Sequence, residues 1–270
     1  YDCKLMALEA GEATKNIKSI YPIYSSMLDF NLTRRDLVIT LGGGVIGDLG
    51  GFVASTYLRG VDFAQVPTSL LAQVDSSVGG KVAVDLPEGK NLVGSFYQPK
   101  LVYIDTDVLY DLPDKFYIDG MAEIIKYGCI KDKALFELLE SINSRDEFME
   151  KVEDIVYTCC DIKRRVVEAD ERDNGERMLL NFGHTYGHAI EKYYNFSGYT
   201  HGQAVAIGMV YITEISERQG QTAAGTSDRI RNILTRYGLP TDDCVKAEKV
   251  LRAIKNDKKN LGKKLNVVLL

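Results

Sequence analysis

The chain has 270 residues, 45% hydrophobic and 26% charged, the proportions of an ordinary globular protein with room for two cores. Its 38 acidic residues outnumber 33 basic ones, and a net charge of −5 excludes nucleic acid or a membrane surface as a partner held by general electrostatics, because both demand a basic face. No run approaches the roughly 20 apolar residues of a membrane span, no signal segment opens the chain, and five scattered cysteines without CxxC spacing make neither a disulfide framework nor a thiolate zinc site. The expectation is a cytoplasmic protein with reduced thiols.

In chain order, Leu37-Val-Ile-Thr-Leu41 is a continuous apolar run between Arg34-Arg35-Asp36 and a glycine cluster, the pattern of a strand buried on both faces of a parallel sheet. Six of the ten residues from Gly42 to Gly51 are glycine, and a helix is predicted to begin near Val45. Gly42, Gly44 and Gly47 fit G-x-G-x-x-G, whose bare backbone can turn tightly and bring N–H groups against phosphate oxygens at a helix N-terminus. Two readings stay open, a dinucleotide pyrophosphate site or close helix packing through Gly47 and Gly51. The acidic residue expected about 20 positions later is met only by Asp62.

Further strands are predicted at 61–66 and 101–104, so the first 110 residues alternate strand, turn and helix. Asp111-Leu-Pro113 is the best domain boundary, dividing 1–112 from 113–270. Beyond it the 3.6-residue period predicts helices at 115–130, 132–142, 146–169, 181–194, 201–219, 226–237 and 242–256. Phe148, Val152, Ile155, Cys159, Ile162 and Val166 recur at helical steps and read as a core stripe. The chain opens at Tyr1 without an initiator Met, and Asn266-Val-Val-Leu-Leu270 reads as a strand about to pair, so both ends are expected to be cut from a longer chain.

All three histidines, His184, His188 and His201, fall within 18 residues. Imidazole is the commonest side-chain ligand of transition metals, and residues four apart on a helix lie about 5 to 6 Å apart at Cβ. Spacing alone favours His184 and His188 as a helical ligand pair, although Thr185 stands where a zincin has its glutamate.

Taken in order, Gly42-Gly-Gly-Val-Ile-Gly-Asp48, Val66-Pro-Thr-Ser-Leu-Leu-Ala-Gln-Val-Asp-Ser-Ser-Val-Gly-Gly-Lys81, Lys90-Asn91, Ala122-Glu-Ile-Ile-Lys-Tyr-Gly128, Asn181-Phe-Gly-His-Thr-Tyr-Gly-His188 and Asp257-Lys-Lys259 resemble the 3-dehydroquinate synthase family of sugar phosphate cyclases, from about residue 8 onward. The resemblance implies a Rossmann-like, NAD-binding α/β domain over 1–112 and a mainly α-helical, metal- and substrate-binding domain over 113–270, with the active site in the cleft between them. It implies zinc, or cobalt, on Glu123, His184 and His201, which differs from the pair that spacing favours and turns His188 toward the substrate phosphate.

By the same resemblance Asp75, Lys81, Asn91, Lys126, Lys163, Arg177, Asn181 and one of Lys258 and Lys259 contact a small phosphorylated sugar acid. Arg59 is lent to a neighbour's site, implying a homodimer. Glu12 and Lys15 serve the adenosine side of NAD, Gly43, Gly44, Val45, Asp48, Thr68 and Ser69 its pyrophosphate and nicotinamide region, and Lys81 and Lys90 are further cofactor contacts. Ser69 and Asp173 replace a threonine and a glutamate usual in the family, and Asp111 replaces a threonine near the adenine. The implied activity converts 3-deoxy-D-arabino-heptulosonate 7-phosphate into 3-dehydroquinate and phosphate, by transient oxidation with NAD, β-elimination of phosphate, re-reduction and intramolecular aldol closure. The alternatives are a metal-dependent NAD polyol or alcohol dehydrogenase of related fold and a non-catalytic NAD- or metal-binding fragment.

Overall fold

The structure, a computed structural model, describes residues 2–171, 175–243 and 267–270. It divides into two compact units, Tyr1–Leu112 and Pro113–Leu270.

The first unit runs α1 (Ile17–Asp29), β1 (Val38–Gly42), α2 (Gly44–Thr56), β2 (Phe63–Pro67), β3 (Lys81–Leu86), β4 (Gly89–Phe96) and β5 (Leu101–Val102). Asn16 caps α1, its side chain accepting from the amides of Lys18 and Ser19. β1, β2 and β5 form a parallel sheet in that order, while β3 and β4 form a separate antiparallel hairpin. The hairpin lies in a stretch for which the sequence pattern predicts no strand. Its turn falls at Pro87-Glu88, and the glycines and charges around it break the apolar alternation that marks a strand.

Helix α2 lies on the sheet through its glycines. A Cβ at Gly47 would stand 2.6 Å from Gln65 Oε1, and one at Gly51 would stand 2.5 Å from Val82 Cγ1. Those two glycines therefore serve close packing, which lets Leu49, Phe52, Val53, Phe63, Val82 and Val84 close into one core. β1 is not buried on both faces as its apolar run predicts. Thr40 is buried, but Ile39 and Leu41 remain 62% and 63% exposed, because the sheet carries α2 on one face and the described residues leave the other uncovered.

The second unit consists of α3 (Asp114–Ile130), α4 (Lys133–Ser141), α5 (Arg145–Met149), α6 (Val152–Ala169), α7 (His184–Tyr193), α8 (His201–Arg218) and α9 (Thr226–Arg236), with a 3-10 segment over Glu176–Asn181. The predicted helix 146–169 is broken: Lys151 leaves helical conformation (φ −118°, ψ 5°), and Phe148, Met149 and Val152 on either side of it are all buried. The stripe from Phe148 to Val166 is core, as its spacing predicts. The helix predicted from 181 starts at His184, because Gly183 adopts a left-handed φ of +78° where a Cβ would stand 2.6 Å from Met209 Cγ. The predicted helix 242–256 lies outside the described residues. Residues 267–270 do not form the predicted strand; the Leu270 carbonyl accepts from the hydroxyls of Ser216 and Thr222 rather than joining a ladder. Among the described residues, no helix is long and apolar enough to cross a membrane.

Three helices set the geometry that matters. α3 is buried through its middle, where Ala122, Glu123, Ile124, Ile125 and Lys126 are all interior. α7 and α8 meet at glycines: a Cβ at Gly187 would stand 3.1 Å from the Ala204 backbone, and one at Gly208 would overlap the Gly183 carbonyl. Such contact is open only to residues without a side chain, and it brings the start of α8 close to α7.

Candidate functional site

Glu123 on α3 is completely buried. Its Oε1 lies 3.4 Å from His184 Nε2 and 3.5 Å from His201 Nε2, and among the described residues it accepts no hydrogen bond. Its Oε2 accepts from Lys126 Nζ, one turn further along α3. His184 Nδ1 stands 3.1 Å from the Phe182 carbonyl; that bond needs the Nδ1–H tautomer, which leaves Nε2 bare toward Glu123. A buried carboxylate oxygen without a donor is costly, and a divalent cation between it and two imidazoles would satisfy it. One carboxylate and two imidazoles with an open position are also the ligand set of a catalytic zinc. The donor set thus fits such an ion.

Charge state follows from the same contacts. Burial opposes ionisation of Glu123, but Lys126, His184 and His201 outweigh it and hold the carboxyl well below the usual range. Burial, assisted by Lys126 and the other histidines, pushes His184 down to about 3. Burial would also lower His201, yet the carboxylates of Glu123 and Glu191 raise it to about 10. His184 is therefore neutral near pH 7, whereas His201 must give up a proton to bind a metal.

The structure thus gathers Glu123, His184 and His201, whose donor atoms lie within 4.8 Å of one another. The pair His184 and His188 that spacing favours does not converge on Glu123. His188 is exposed and forms a second triplet of the same spread with Glu191 and His201; its ring centroid is 5.5 Å from that of His184. Sequence reasoning missed Glu191, although its position seven residues after His184 places it on the same helical face.

Lys126, Lys163 and Arg177 are all buried in this unit, where long cations are rare without an anionic partner. Arg177 Nη1 donates to the Glu171 carbonyl at 2.6 Å. Asn181 ends the 3-10 segment just before Gly183 and His184. Lys258 and Lys259, predicted to contact substrate, and Asp173 lie outside the described residues.

In the first unit the glycine loop passes from β1 into α2 with Gly43 as an extended cap. A Cβ at Gly43 would stand 3.3 Å from Ser69 Oγ, and one at Gly44 would stand 2.9 Å from Ser76 Oγ. Bare backbone, two hydroxyls and the first-turn amides of Gly44 and Val45, which donate to no backbone carbonyl among the described residues, make a cradle suited to a phosphate. The Thr68 amide ties the loop down by donating to the Gly42 carbonyl at 2.9 Å. Asp62 is not the ribose-binding acid of a standard dinucleotide fold: it precedes β2 at the end away from the glycines and lies 3.6 Å from Lys100 Nζ.

Glu12, Lys15, Asp48 and Asn91 meet at one point. The buried Lys15 ammonium stands 3.0 Å from Glu12, 3.2 Å from Asp48 and 2.8 Å from Asn91 Oδ1, with Asp85 at 3.9 Å. Burial opposes its charge, but Asp48, Glu12 and Asp85 raise its pKa. Asp75 lies in a wide helical turn over Ala72–Ser76, Lys81 opens β3, exposed, and Lys90 is on β4. Arg59 is exposed in a left-handed stretch, with φ of 49° at Leu58 and 69° at Arg59.

Residues 5–119 match the family model described as 3-dehydroquinate synthase N-terminal, and residues 120–260 match 3-dehydroquinate synthase C-terminal. The 3-dehydroquinate synthase of Clostridium botulinum (strain Alaska E43 / Type E3) is 63% identical over 271 residues, covering 100% of this chain and 77% of that protein. Among solved structures, a 2-deoxy-scyllo-inosose synthase complexed with carbaglucose-6-phosphate, NAD+ and Co2+ is similar with a TM-score of 0.86 and 29% identity, over 97% of this chain and 74% of that one. The 2-epi-5-epi-valiolone synthase of Streptomyces hygroscopicus subsp. jinggangensis 5008, with NAD+ and Zn2+ bound, is similar with a TM-score of 0.85 and 26% identity, over 93% and 71%.

Proposed function

The chain belongs to the 3-dehydroquinate synthase family, and we propose how its own residues carry out that family's reaction. It is a carbon–oxygen lyase that converts 3-deoxy-D-arabino-heptulosonate 7-phosphate into 3-dehydroquinate and phosphate, a step of the shikimate pathway toward aromatic amino acids.

Glu123, His184 and His201 would hold the divalent ion, zinc or cobalt. Gly43, Gly44, Val45, Asp48, Thr68 and Ser69 would receive the pyrophosphate and nicotinamide side of NAD, Glu12 and Lys15 its adenosine side, with Lys81 and Lys90 alongside. When bound, NAD takes up and returns a hydride while the ion polarises substrate oxygens. Lys126, Lys163 and Arg177, buried and cationic, would offset the substrate's phosphate and carboxylate, and little solvent screens them there. Asp75, Asn91, Asn181 and one of Lys258 and Lys259 would fix the sugar's hydroxyls. His188, exposed beside the cluster, would donate to the phosphate as it leaves. The phosphate's own oxygen can carry away the proton from the carbon next to the transient ketone, so no residue of the chain need be a strong base. Most of the rate would then come from orientation and charge placement. Arg59 would reach a second copy's site in a cytoplasmic homodimer.

The observation that carries this reading is the fully buried Glu123, its Oε1 facing two imidazole nitrogens and, among the described residues, without a hydrogen bond. Incubation with the heptulosonate phosphate, catalytic NAD and zinc should release inorganic phosphate without net NADH. Accumulation of NADH from simple polyols with no phosphate released would overturn it.

A further inference from the structure

The His201 imidazole lies between two carboxylates, one at each ring nitrogen. Nε2 is 3.5 Å from Glu123 Oε1, and Nδ1 is 3.7 Å from Glu191 Oε2. Glu191 is 4% exposed, a burial unusual for a glutamate without a polar partner. On α7 it follows His184 by seven residues and His188 by three, which places all three on one stripe facing the start of α8.

A neutral imidazole has one N–H and one bare nitrogen, and only the bare nitrogen can bind a metal. Glu123 Oε1 and the Nε2 atoms of His184 and His201 converge on one point, so the bare nitrogen belongs on that side and the N–H on the other. From this we infer that Glu191 is a positioning residue: it accepts the Nδ1–H of His201 and so fixes the tautomer and ring plane that aim Nε2 at the ion. The separation of 3.7 Å is longer than a formed hydrogen bond, and the role requires it to shorten when Nε2 takes up an ion. His184 has the same arrangement with a different acceptor, its Nδ1 being 3.1 Å from the Phe182 carbonyl. Each ligand histidine is thus braced at Nδ1, one by backbone and the other by Glu191. Outer partners of this kind commonly contribute a 10- to 100-fold increase in metal affinity.

The inference rests on the ligand set proposed above, and one experiment separates the two. The metal-stripped full chain is titrated with Zn2+ and with Co2+ against a competing chelator, as wild type and as His201→Ala, Glu191→Ala and Glu191→Gln. The wild type should bind one ion and His201→Ala should lose it; if either fails, the ligand set itself is wrong and the role of Glu191 falls with it. Glu191→Ala should bind about 10- to 100-fold more weakly, and Glu191→Gln, whose amide oxygen still accepts an N–H, should recover most of that loss. Wild-type affinity in Glu191→Ala overturns the inference. Where circular dichroism shows Glu191→Ala unfolded, 15N-histidine spectra of the zinc-loaded wild type decide. His201 protonated at Nδ1 supports the role of Glu191, and protonation at Nε2 overturns it.

Discussion

Asp119 Oδ1 accepts a hydrogen bond of 2.6 Å from the amide of Gly202, the residue after His201. Asp119 and Glu123 are four residues apart on α3 and share a face. One side chain therefore ties down the first turn of α8 while the other, a turn away, meets His201. A Cβ at Gly202 would also overlap the Asp119 carbonyl, so the two helices approach to backbone contact here. Thr200 and Gln203 complete the start of α8 with a reciprocal capping box.

Asp119→Ala should consequently weaken the metal site without touching a ligand. Removing a charged acceptor from a helix start costs about 1 to 2 kcal/mol, so thermal melts should shift down and zinc affinity should fall in the same variant. A melt shifted down with unchanged zinc affinity would show that the Asp119 contact stabilises the fold without positioning His201.

His201→Ala and His188→Ala should separate two roles. The first should lose bound metal, measured by atomic absorption after dialysis, whereas the second should keep the metal and lose phosphate release. Equal metal loss in both would move the ligand set to His188, Glu191 and His201.

Two glycines of α2 should respond differently. Gly44→Ala places a methyl 2.9 Å from Ser76 Oγ, the end of a small side chain that can rotate away, so folding should be little affected while NAD binding, followed by calorimetry, weakens. Gly51→Ala places a methyl 2.5 Å from Val82 Cγ1 and 3.1 Å from Phe63 Cε2, inside a packed core. That should destabilise the fold by about 1 to 3 kcal/mol in denaturant titrations.

Metal uptake should release about one proton per ion near pH 7.5, because His201 is held protonated up to about 10 and must free Nε2. Calorimetry in two buffers of different ionisation enthalpy measures it, and no proton release would show that His201 is already neutral. In the metal-free chain the raised His201 contributes stability fully present below about 6.5 and lost as pH rises through about 10. His184, pushed down to about 3, acts oppositely and costs stability as pH falls from about 6.5 toward that value.

Much of the architecture was legible in the chain's periodicity. The apolar run at 37–41 marks β1 to within a residue, and the 3.6-residue pattern after Pro113 marks α3, α4, α8 and α9 nearly to their ends. Where the pattern misled, tertiary contact was the reason. Lys151 breaks a helix so that residues on both sides can be buried, and Gly183 delays α7 because it packs against Met209. The β3–β4 hairpin, polar at its turn and exposed along β4, left no period to read.

Residue order alone establishes which chemistry is available: a glycine loop between strand and helix, three histidines in one short window, and an ordered set of motifs that identifies a family. It could not determine which imidazole nitrogens face which carboxylate. Spacing along one helix favoured His184 with His188, because periodicity sees only neighbours on the same helix. The tertiary structure instead brings Glu123 from α3 and His201 from α8 to His184, across 61 and 17 residues of sequence. The cause is packing: glycines at 187, 202 and 208 allow helix backbones to touch, and only that closeness puts three side chains within reach of one ion.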